Sequence, residues 1–312
     1  GDVYKRQPVR ARYQLVLDYS RKEVVDGIFT QIAKVLDETK ADYVKMDMNR
    51  HLTDVWSKTA GEQNQGAILH RYMLGVYDFL ERLHERYPDL LIEGCSGGGG
   101  RFDAGMLYYT PQIWCSDNTD AIERVKIQYG TSFVYPSCTV GSHVSAVPNH
   151  QTGRTTELAT RAAVAMAGSF GYELDLNLLT EEEKEQVRAQ IKNYHRFEML
   201  IRQGRYYRLT DVWQKKEYAA WEYCRPDGSE ALVTVVTLDT QCNPATEYVK
   251  LRGLGEDKKY RVEVVGMQTG GENGQRINGT PNSVEPEYYT GAQLVHAGLP
   301  VPRLGNEYKS WQ

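Results

Sequence analysis

The sharpest alternation of polar and apolar positions lies between residues 43 and 49. In a strand, alternate side chains point to opposite faces. One face would carry three apolar residues and the other a cation, a carboxylate and an amide: Val44, Met46 and Met48 against Lys45, Asp47 and Asn49. Burying such polar groups without partners is costly. The polar face therefore pairs internally, binds a ligand or contacts water, and an ordinary amphipathic strand with a solvated face remains an alternative.

The periodicity of the rest of residues 8–204 predicts further strands and helices in turn. Strands are predicted at 14–17, 90–92, 112–116 and 170–176. Helices are predicted at 25–36, 69–83, 121–133, 154–168 and 180–203. The last helix has a capping-box signature, Thr180 with Glu183, and 50–66 and 137–153 are predicted as loops. The alternation indicates an α/β fold with a parallel sheet and helical crossovers.

The pattern changes near Gly204 to short alternating segments separated by turn residues and by a Gly/Asn-rich stretch at 269–282. Strands are predicted at 218–223, 231–236, 248–251 and 260–265. This spacing is typical of an antiparallel β-sandwich. The predicted division is a non-native leader over 1–7, a catalytic α/β part over 8–204 and a β-sandwich domain over 205–312.

Composition narrows the function classes. The chain is 41% hydrophobic and 25% charged with a net charge of -4, so we expect a globular protein without a nucleic-acid or anionic-membrane partner. Its five cysteines are widely spaced and contain no C-x-x-C, which favours neither a disulfide framework nor a zinc site. With no long apolar run and no signal peptide, a cytoplasmic location is expected.

Polar residues follow the predicted strands of the α/β part. They are Asp18 after the first strand, Lys45, Asp47 and Asn49 on the second, Cys95 and Ser96 after the third, and Asp117 after the fourth. In parallel α/β folds the carboxyl ends of the strands build the active site. The pattern thus favours an enzyme over a binding or structural module.

Two carboxylates, Asp47 and Asp117, suit glycoside hydrolysis, in which one attacks the anomeric carbon and the other protonates the leaving oxygen. Lys45, on the same face as Asp47, would keep that carboxylate ionised. The alternative for Asp117 is a helix N-cap, a role that Asp120 fills equally well.

A serine hydrolase is a rival hypothesis, because residues 94–98 match the G-x-S-x-G nucleophile elbow with Ser96 as nucleophile. Asp117 or Asp175 and one of several histidines would complete the triad: His143, His150 or His195. Against it, the glycines continue through Gly100, whereas an elbow needs a helix directly after the serine. Those glycines fit a close approach of backbone to a ligand better, and His143 and His150 fit a loop-structuring role better than a metal site.

Four stretches together resemble glycoside hydrolase family 36, the α-galactosidases of the raffinose and melibiose type. They are RYQLVLD at 12–18, YVKMDMNR at 43–50, IEGCSGGGGRFD at 92–103 and WCSDNTD at 114–120. The resemblance runs from about residue 8 to 204 and continues more weakly into the β domain.

The resemblance implies a retaining mechanism in a (β/α)8 TIM barrel, with Asp47 as nucleophile and Asp117 as general acid/base. It places further residues at or beside the family's galactose-binding positions: Arg12, Lys45, Asn49, Cys95, Ser96 and Gly98. Met46 stands where the family commonly has Trp, on the face predicted to point away from the site. No metal or organic cofactor is implied, the partner is a small galactoside, and a full-length protein is expected to be a homo-oligomer.

The family's N-terminal β domain and first barrel strands have no counterpart in these residues. The chain is therefore expected to correspond to about the last five barrel strands and the C-terminal β-sandwich, and to be inactive or poorly folded alone. The predicted reaction is hydrolysis of terminal α-D-galactosyl residues. The alternatives are an α-N-acetylgalactosaminidase, a transglycosylase, an inactive or carbohydrate-binding remnant, and more remotely the serine hydrolase.

Overall fold

A computed structural model describes residues 10–53, 55–242, 245–265, 287–301 and 308–312. The predicted leader at 1–7 and the Gly/Asn-rich stretch at 269–282 lie outside the described residues. The chain divides into two compact units, Gly1–Asp117 and Asn118–Gln312. Each unit is described by itself.

The first unit alternates helices and strands as the periodicity predicts. Its elements are α1 Lys22–Thr39, β1 Tyr43–Asp47, α2 Ile68–Arg86, β2 Leu91–Cys95, α3 Ala104–Tyr109 and β3 Gln112–Ile113. Two 3₁₀ turns, Lys58–Ala60 and Glu62–Ala67, lie in the predicted loop before α2.

The three strands form a parallel sheet in the order β1-β2-β3. Val44 and Met46 pack against a buried core of α1 and α2 residues, whereas Lys45 and Asp47 are exposed on the other face. The predicted alternation is therefore confirmed, and Met46 does point away from the polar face. The register places Asp47 beside Cys95, and Lys45 beside Glu93.

The strand predicted at 14–17 is wrong. The structure has one isolated bridge there, between Ala11 and Gln14, closing a turn around Arg12 and Tyr13. A short apolar run becomes a strand only where a neighbour supplies hydrogen bonds, and none of the described strands pairs with these residues. Asp18 consequently does not follow a strand; it accepts hydrogen bonds from Ser20 and Ser57.

The second unit opens with a further α/β segment. Its elements are α4 Ala121–Thr131, β4 Gly141–Ser145, α5 Leu158–Ala165, β5 Ser169–Glu173 and α6 Glu181–Gln203. Strands β4 and β5 pair in parallel. The capping box of Thr180 and Glu183 is confirmed at the start of α6.

The prediction of a loop over 137–153 is wrong, because β4 lies inside it. The strand reads Gly-Ser-His-Val-Ser, and four of its five residues are buried. Ser142 is buried because its hydroxyl has a partner, the Gln128 side chain at 2.7 Å. Since only Val144 is strongly apolar, the strand had no hydrophobic run by which to be recognised.

The remaining strands form the predicted antiparallel β region. They are β6 Arg205–Arg208, β7 Tyr218–Cys224, β8 Ala231–Thr237, β9 Tyr248–Val249, β10 Lys259–Val262, β11 Glu287–Thr290, β12 Leu299–Pro300 and β13 Ser310–Trp311. The largest sheet has the order β13-β8-β7-β6, with β9 paired to β12 and β10 to β11. Every residue of β7 is buried. One face of its sheet packs on α6, and the other covers an apolar core that includes Val249 and Leu294.

Candidate active site

Asp47 ends β1 with an exposed carboxylate that receives several hydrogen bonds. The Asn49 side-chain amide donates to its Oδ2 at 2.6 Å. Burial alone would raise the pKa of Asp47, but hydrogen bonds from the Cys95 thiol, from Asn49 and from the backbone N–H groups of Met48 and Gly97 hold it below its usual range. The side chain is thus kept as an anion facing solvent, the state that a nucleophilic carboxylate requires.

Asn49 connects this carboxylate to the loop that follows β2. While its amide nitrogen donates to Asp47, its oxygen accepts the Gly97 N–H at 2.8 Å. Cys95 also hydrogen-bonds Asp47, and burial followed by this hydrogen bond raises the pKa of the thiol to about 11. Cys95 is therefore a neutral donor here, and Asn49 and Cys95 both position Asp47.

Gly98 brings the same loop against the chain segment that carries Asp117. Its φ is +85°, and a Cβ at this position would lie 2.8 Å from the Ser116 Cα and 3.1 Å from the Asp117 backbone nitrogen. Only glycine fits such an approach. The loop therefore contacts Asn49 on one side and the Ser116–Asp117 backbone on the other, and places both predicted catalytic aspartates at the same end of the sheet.

The N-cap alternative for Asp117 is settled by Asp120. Asp120 is the N-cap of α4 and accepts hydrogen bonds from Ile122 at 2.8 Å and Glu123 at 3.3 Å. Asp117 is exposed. Its carboxylate is thus not used as the cap of this helix.

Ser96 does not have the geometry of a nucleophile elbow. Its hydroxyl donates to the Met48 carbonyl at 2.6 Å, and the next helix, α3, begins only at Ala104 behind the N-cap Asp103. An elbow serine lies directly before a helix and presents its hydroxyl to a substrate. The structure instead uses Ser96 to fix the loop to the end of β1.

Lys45 has a different partner from the one predicted. Its ammonium lies 3.1 Å from Glu93 Oε1 and 4.7 Å from the centre of the Trp114 ring. The role of keeping Asp47 ionised falls instead to Cys95, Asn49 and the two backbone N–H groups. Sequence reasoning did not assign Glu93, which is fully buried. Its position two residues before Cys95 on a strand, hence on the same face, was the available signal.

Arg101 is a second residue of the site without a role predicted from the sequence. Its guanidinium donates to the Met46 carbonyl at 2.9 Å and to the Cys95 carbonyl at 2.8 Å. It thus joins the ends of β1 and β2 through their backbone. Burial lowers the pKa of Arg101. The arginine lies within the motif at 92–103, but nothing in the spacing alone indicates that it binds backbone carbonyls.

Arg12 is exposed in the turn before residue 14, and no hydrogen bond or ion pair among the described residues joins it to Asp47. The stretch 14–17 does line a cavity of about 250 Å³ together with Asp47 and Asn49.

The part of the chain that the structure describes contains no cluster of three or more His, Cys, Asp and Glu side chains able to hold a metal. None of its helices has the length and apolarity needed to cross a membrane.

The sequence matches two family models. The model described as Melibiase matches residues 2–204, and that described as Glycosyl hydrolase family 36 C-terminal domain matches residues 218–312. Among characterised relatives, the chain is 54% identical over 310 residues to the bifunctional alpha-galactosidase/sucrose kinase AgaSK of Mediterraneibacter gnavus, and 45% identical over 305 residues to alpha-galactosidase Mel36A of Lactobacillus acidophilus. These alignments cover 99% and 98% of this chain but only 30% and 39% of the length of the two relatives.

Solved structures give the same result. The galactosidase domain of AgaSK superposes with a TM-score of 0.85 at 53% identity, covering 98% of this chain and 38% of that one. AgaA, a GH36 alpha-galactosidase from Geobacillus stearothermophilus, superposes with a TM-score of 0.89 at 43% identity, covering 99% of this chain and 40% of that one. Variants of AgaA have been solved in complex with raffinose and with stachyose.

Proposed function

Because the chain belongs to the melibiase family, glycosyl hydrolase family 36, we propose that it forms the Asp47-bearing part of an enzyme that hydrolyses terminal α-D-galactosyl residues. The single observation that carries this proposal is the ionised Asp47, exposed at the end of β1 and held by a loop that also contacts the Asp117 backbone. Two carboxylates at one end of a parallel sheet suit double displacement at an anomeric carbon. Raffinose and stachyose, bound by AgaA variants, indicate the substrate class.

In this mechanism Asp47 attacks the anomeric carbon as the bond to the leaving oxygen breaks, and Asp117 transfers its proton to that oxygen. Asp117 then takes a proton from water, which attacks the anomeric carbon and releases Asp47. Cys95 and Asn49 orient the nucleophile through their hydrogen bonds. Lys45, on the exposed face of β1 two residues before Asp47, would bind a sugar hydroxyl.

The AgaA complexes offer independent support for the pair of aspartates. Each was obtained with a variant in which an aspartate is replaced, by Asn in the raffinose complex and by Ala in the stachyose complex. The two replaced positions are separated by the same number of residues in AgaA as Asp47 and Asp117 are in this chain. Replacing a catalytic carboxylate is a common way to hold an uncleaved substrate in a crystal, so the spacing favours these two as the reacting groups.

We further propose that β1 to β5 and their helices belong to a (β/α)8 barrel over residues 8–204, and that 205–312 form a β-sandwich. The parallel pairing of β1-β2-β3 and of β4-β5, with helices between successive strands, supports the first assignment. The antiparallel sheet with both faces buried supports the second.

The test uses the full-length enzyme, meaning a polypeptide of the relatives' length that carries this sequence. Asp47→Asn is expected to lower kcat for an aryl α-galactoside by at least about a thousandfold, because it removes the nucleophile. Asp117→Asn is expected to retain more turnover on the same substrate, since a good leaving group needs little protonation. Added azide should then restore turnover and yield an α-galactosyl azide, because azide takes the place of water in attacking the β-linked galactosyl-enzyme with inversion.

Asp89→Asn is the matched control, because Asp89 is exposed two residues before β2, at the end of that strand opposite Cys95. It should keep the activity of the unsubstituted enzyme. Wild-type turnover in Asp47→Asn would overturn the nucleophile assignment. A β-galactosyl azide from Asp117→Asn, or no rescue by azide, would overturn the assignment of Asp117.

A further inference from the structure

We propose that Glu93 is a positioning residue that fixes the Lys45 ammonium for binding a galactosyl hydroxyl. The inference deepens the proposed function and rests on it. It starts from the contact already described, in which Lys45 Nζ lies 3.1 Å from Glu93 Oε1. Glu93 itself does not reach the surface and acts on the sugar only through Lys45.

The two oxygens of Glu93 have different surroundings. Oε2 accepts hydrogen bonds from two neutral donors, the Tyr43 hydroxyl and the Gln112 side-chain amide. Oε1 has the Lys45 ammonium as its ion-pair partner and accepts no hydrogen bond from the described residues. A buried carboxylate is costly unless it is paired and hydrogen-bonded, so the neutral donors on Oε2 hold the orientation of Glu93, and Oε1 forms the ion pair with Lys45.

Lys45 has three N–H groups at the end of a flexible stem. Its contacts with Glu93 and with the face of the Trp114 ring, at 4.7 Å, come from two neighbouring parts of the sheet. Its side chain nevertheless remains 38% exposed. A lysine held at two points and open at a third has lost most of its rotamer freedom before a ligand arrives, which lowers the entropic cost of binding.

Strand register explains why these groups meet. Lys45 on β1 lies beside Glu93 on β2, and Glu93 lies beside Gln112 on β3. Asp47 and Cys95 are the next pair on the same face, one step nearer the carboxyl ends of the strands. Lys45, Glu93 and Gln112 thus form a row across the sheet, one step before the row that contains Asp47. At that place a change in the orientation of Lys45 acts on the position of the substrate.

A buried ion pair with a purely structural role is the competing explanation. It predicts that the Glu93→Gln variant is less stable but that its folded fraction binds substrate as before. The positioning role predicts a higher KM for an aryl α-galactoside, by about tenfold, with a smaller change in kcat, because a binding contact and not the reacting groups is disturbed. Circular dichroism and thermal unfolding measure the folded fraction.

The deciding experiment is a double-mutant cycle in the full-length enzyme. In a Lys45→Met background, Glu93→Gln should raise KM no further, because the group that it positions is gone. Glu222→Gln is the matched control: Glu222 is equally buried but lies on β7 of the β region, and its amide variant should leave KM unchanged.

Each outcome decides a different claim. An unchanged KM in Glu93→Gln, or the same rise in KM with and without Lys45, overturns the positioning role while the enzyme remains a galactosidase. An unsubstituted enzyme that turns over no α-galactoside overturns the proposed function and this inference together. A rise in KM for Glu93→Gln that is lost in the Lys45→Met background, and that Glu222→Gln does not show, supports both the positioning role and the proposed function.

Discussion

The same short pattern, Glu-x-Cys, occurs on buried strands of both units. Glu93 and Cys95 lie on β2 in the first unit, and Glu222 and Cys224 lie on β7 in the second. Both glutamates are 0% exposed and both cysteines are buried. Sequence and burial are thus alike, and the difference comes from the neighbouring strands.

The cross-strand neighbours of Glu93 are Lys45 and Gln112, which give it a cation and an amide donor. The neighbours of Glu222 are Tyr207 and Val233. Its carboxylate accepts the Arg252 backbone N–H at 2.8 Å.

Burial raises the pKa of Glu222 to about 7, and the backbone hydrogen bond opposes this only in part. The two cysteines also differ in their surroundings. Cys95 lies beside Asp47 and donates to it, whereas Cys224 belongs to an apolar cluster. A polar residue on a buried strand therefore indicates a site only when the adjacent strands contribute complementary groups.

The largest expected difference between the two glutamates is the effect of Glu222 on the pH dependence of stability. Unfolded, its carboxyl has the usual pKa of 4.5; folded, the pKa is about 7. The folded state therefore keeps a proton that the unfolded state releases, and stability falls as the pH rises from 4.5 to 7. Glu222→Gln mimics the protonated form, so relative to the wild type its free energy of unfolding should increase by roughly 3 kcal/mol between pH 4 and pH 8.

Urea unfolding of both proteins at a series of pH values measures this difference directly, because the other titrating groups cancel between them. Parallel stability curves would show that Glu222 is ionised in the fold like an exposed carboxylate. The comparison with Glu93 would then rest on position alone.

The next effect separates the two cysteines by activity. Cys95→Ala removes a hydrogen bond to the Asp47 carboxylate, and such a bond to a charged group is worth enough to lower kcat/KM by about 10- to 100-fold. Cys224→Ala removes a thiol of similar burial from the apolar core of the β region and should leave kcat/KM of the folded enzyme unchanged. Steady-state kinetics on an aryl α-galactoside, corrected for folded fraction, compares them. Equal losses would mean that the Cys95 contact is structural.

Two glycines extend the comparison to the loops. Gly98 (φ +85°) and Gly228 (φ +66°) both have left-handed backbone, and a Cβ would lie 2.8 Å from the Ser116 Cα in one case and 2.6 Å from the Gly253 carbonyl oxygen in the other. Each alanine variant should lose about 1–3 kcal/mol of stability. Only Gly98→Ala should also lower kcat/KM, by about tenfold, because it displaces the backbone of Asp117. An equal kcat/KM in the two variants would contradict this.

Much of the fold follows from the sequence, because most elements have a strong period. The helices α1, α2 and α4 follow from apolar spacing, α6 from its extent and capping box, and the strand β1 from its polar and apolar alternation. The errors fall where the decisive interaction is with a distant residue. Residues 14–17 have the composition of a strand but no pairing partner among the described strands, whereas β4 has little apolar character and is a strand because β5 lies beside it.

The site shows the same limit. Asp47, Asn49 and Cys95 were identified as site residues from their motifs, and the structure brings them together. Lys45 was expected to keep Asp47 ionised because both lie on one face, but the register places Lys45 beside Glu93. Period-2 alternation fixes the face of a residue and says nothing of which residue lies beside it on the next strand. Glu93 was missed for that reason, and Arg101 because it lies in the turn after β2, where alternation carries no information.

The smallest expected effect is a shift in pH dependence, and again the two units provide a matched pair. Hydrogen bonds from Cys95 and Asn49 lower the pKa of Asp47, and hydrogen bonds from Ser229 lower the pKa of Asp227. Asn49→Ala removes a donor to Asp47, so the pKa of that carboxyl rises and the proposed nucleophile is protonated at a higher pH. The acid limb of the kcat/KM profile, which reports the free enzyme, should therefore move to higher pH.

Ser229→Ala makes the corresponding change at Asp227, in the turn between β7 and β8. The pKa of Asp227 should rise as well, since its largest stabilising hydrogen bond is lost. The acid limb of kcat/KM should not move, because that carboxylate does not react. An acid limb that stays in place in Asn49→Ala would mean that a group other than Asp47 sets it. An acid limb that moves in Ser229→Ala would mean that it reports unfolding and not the ionisation of Asp47.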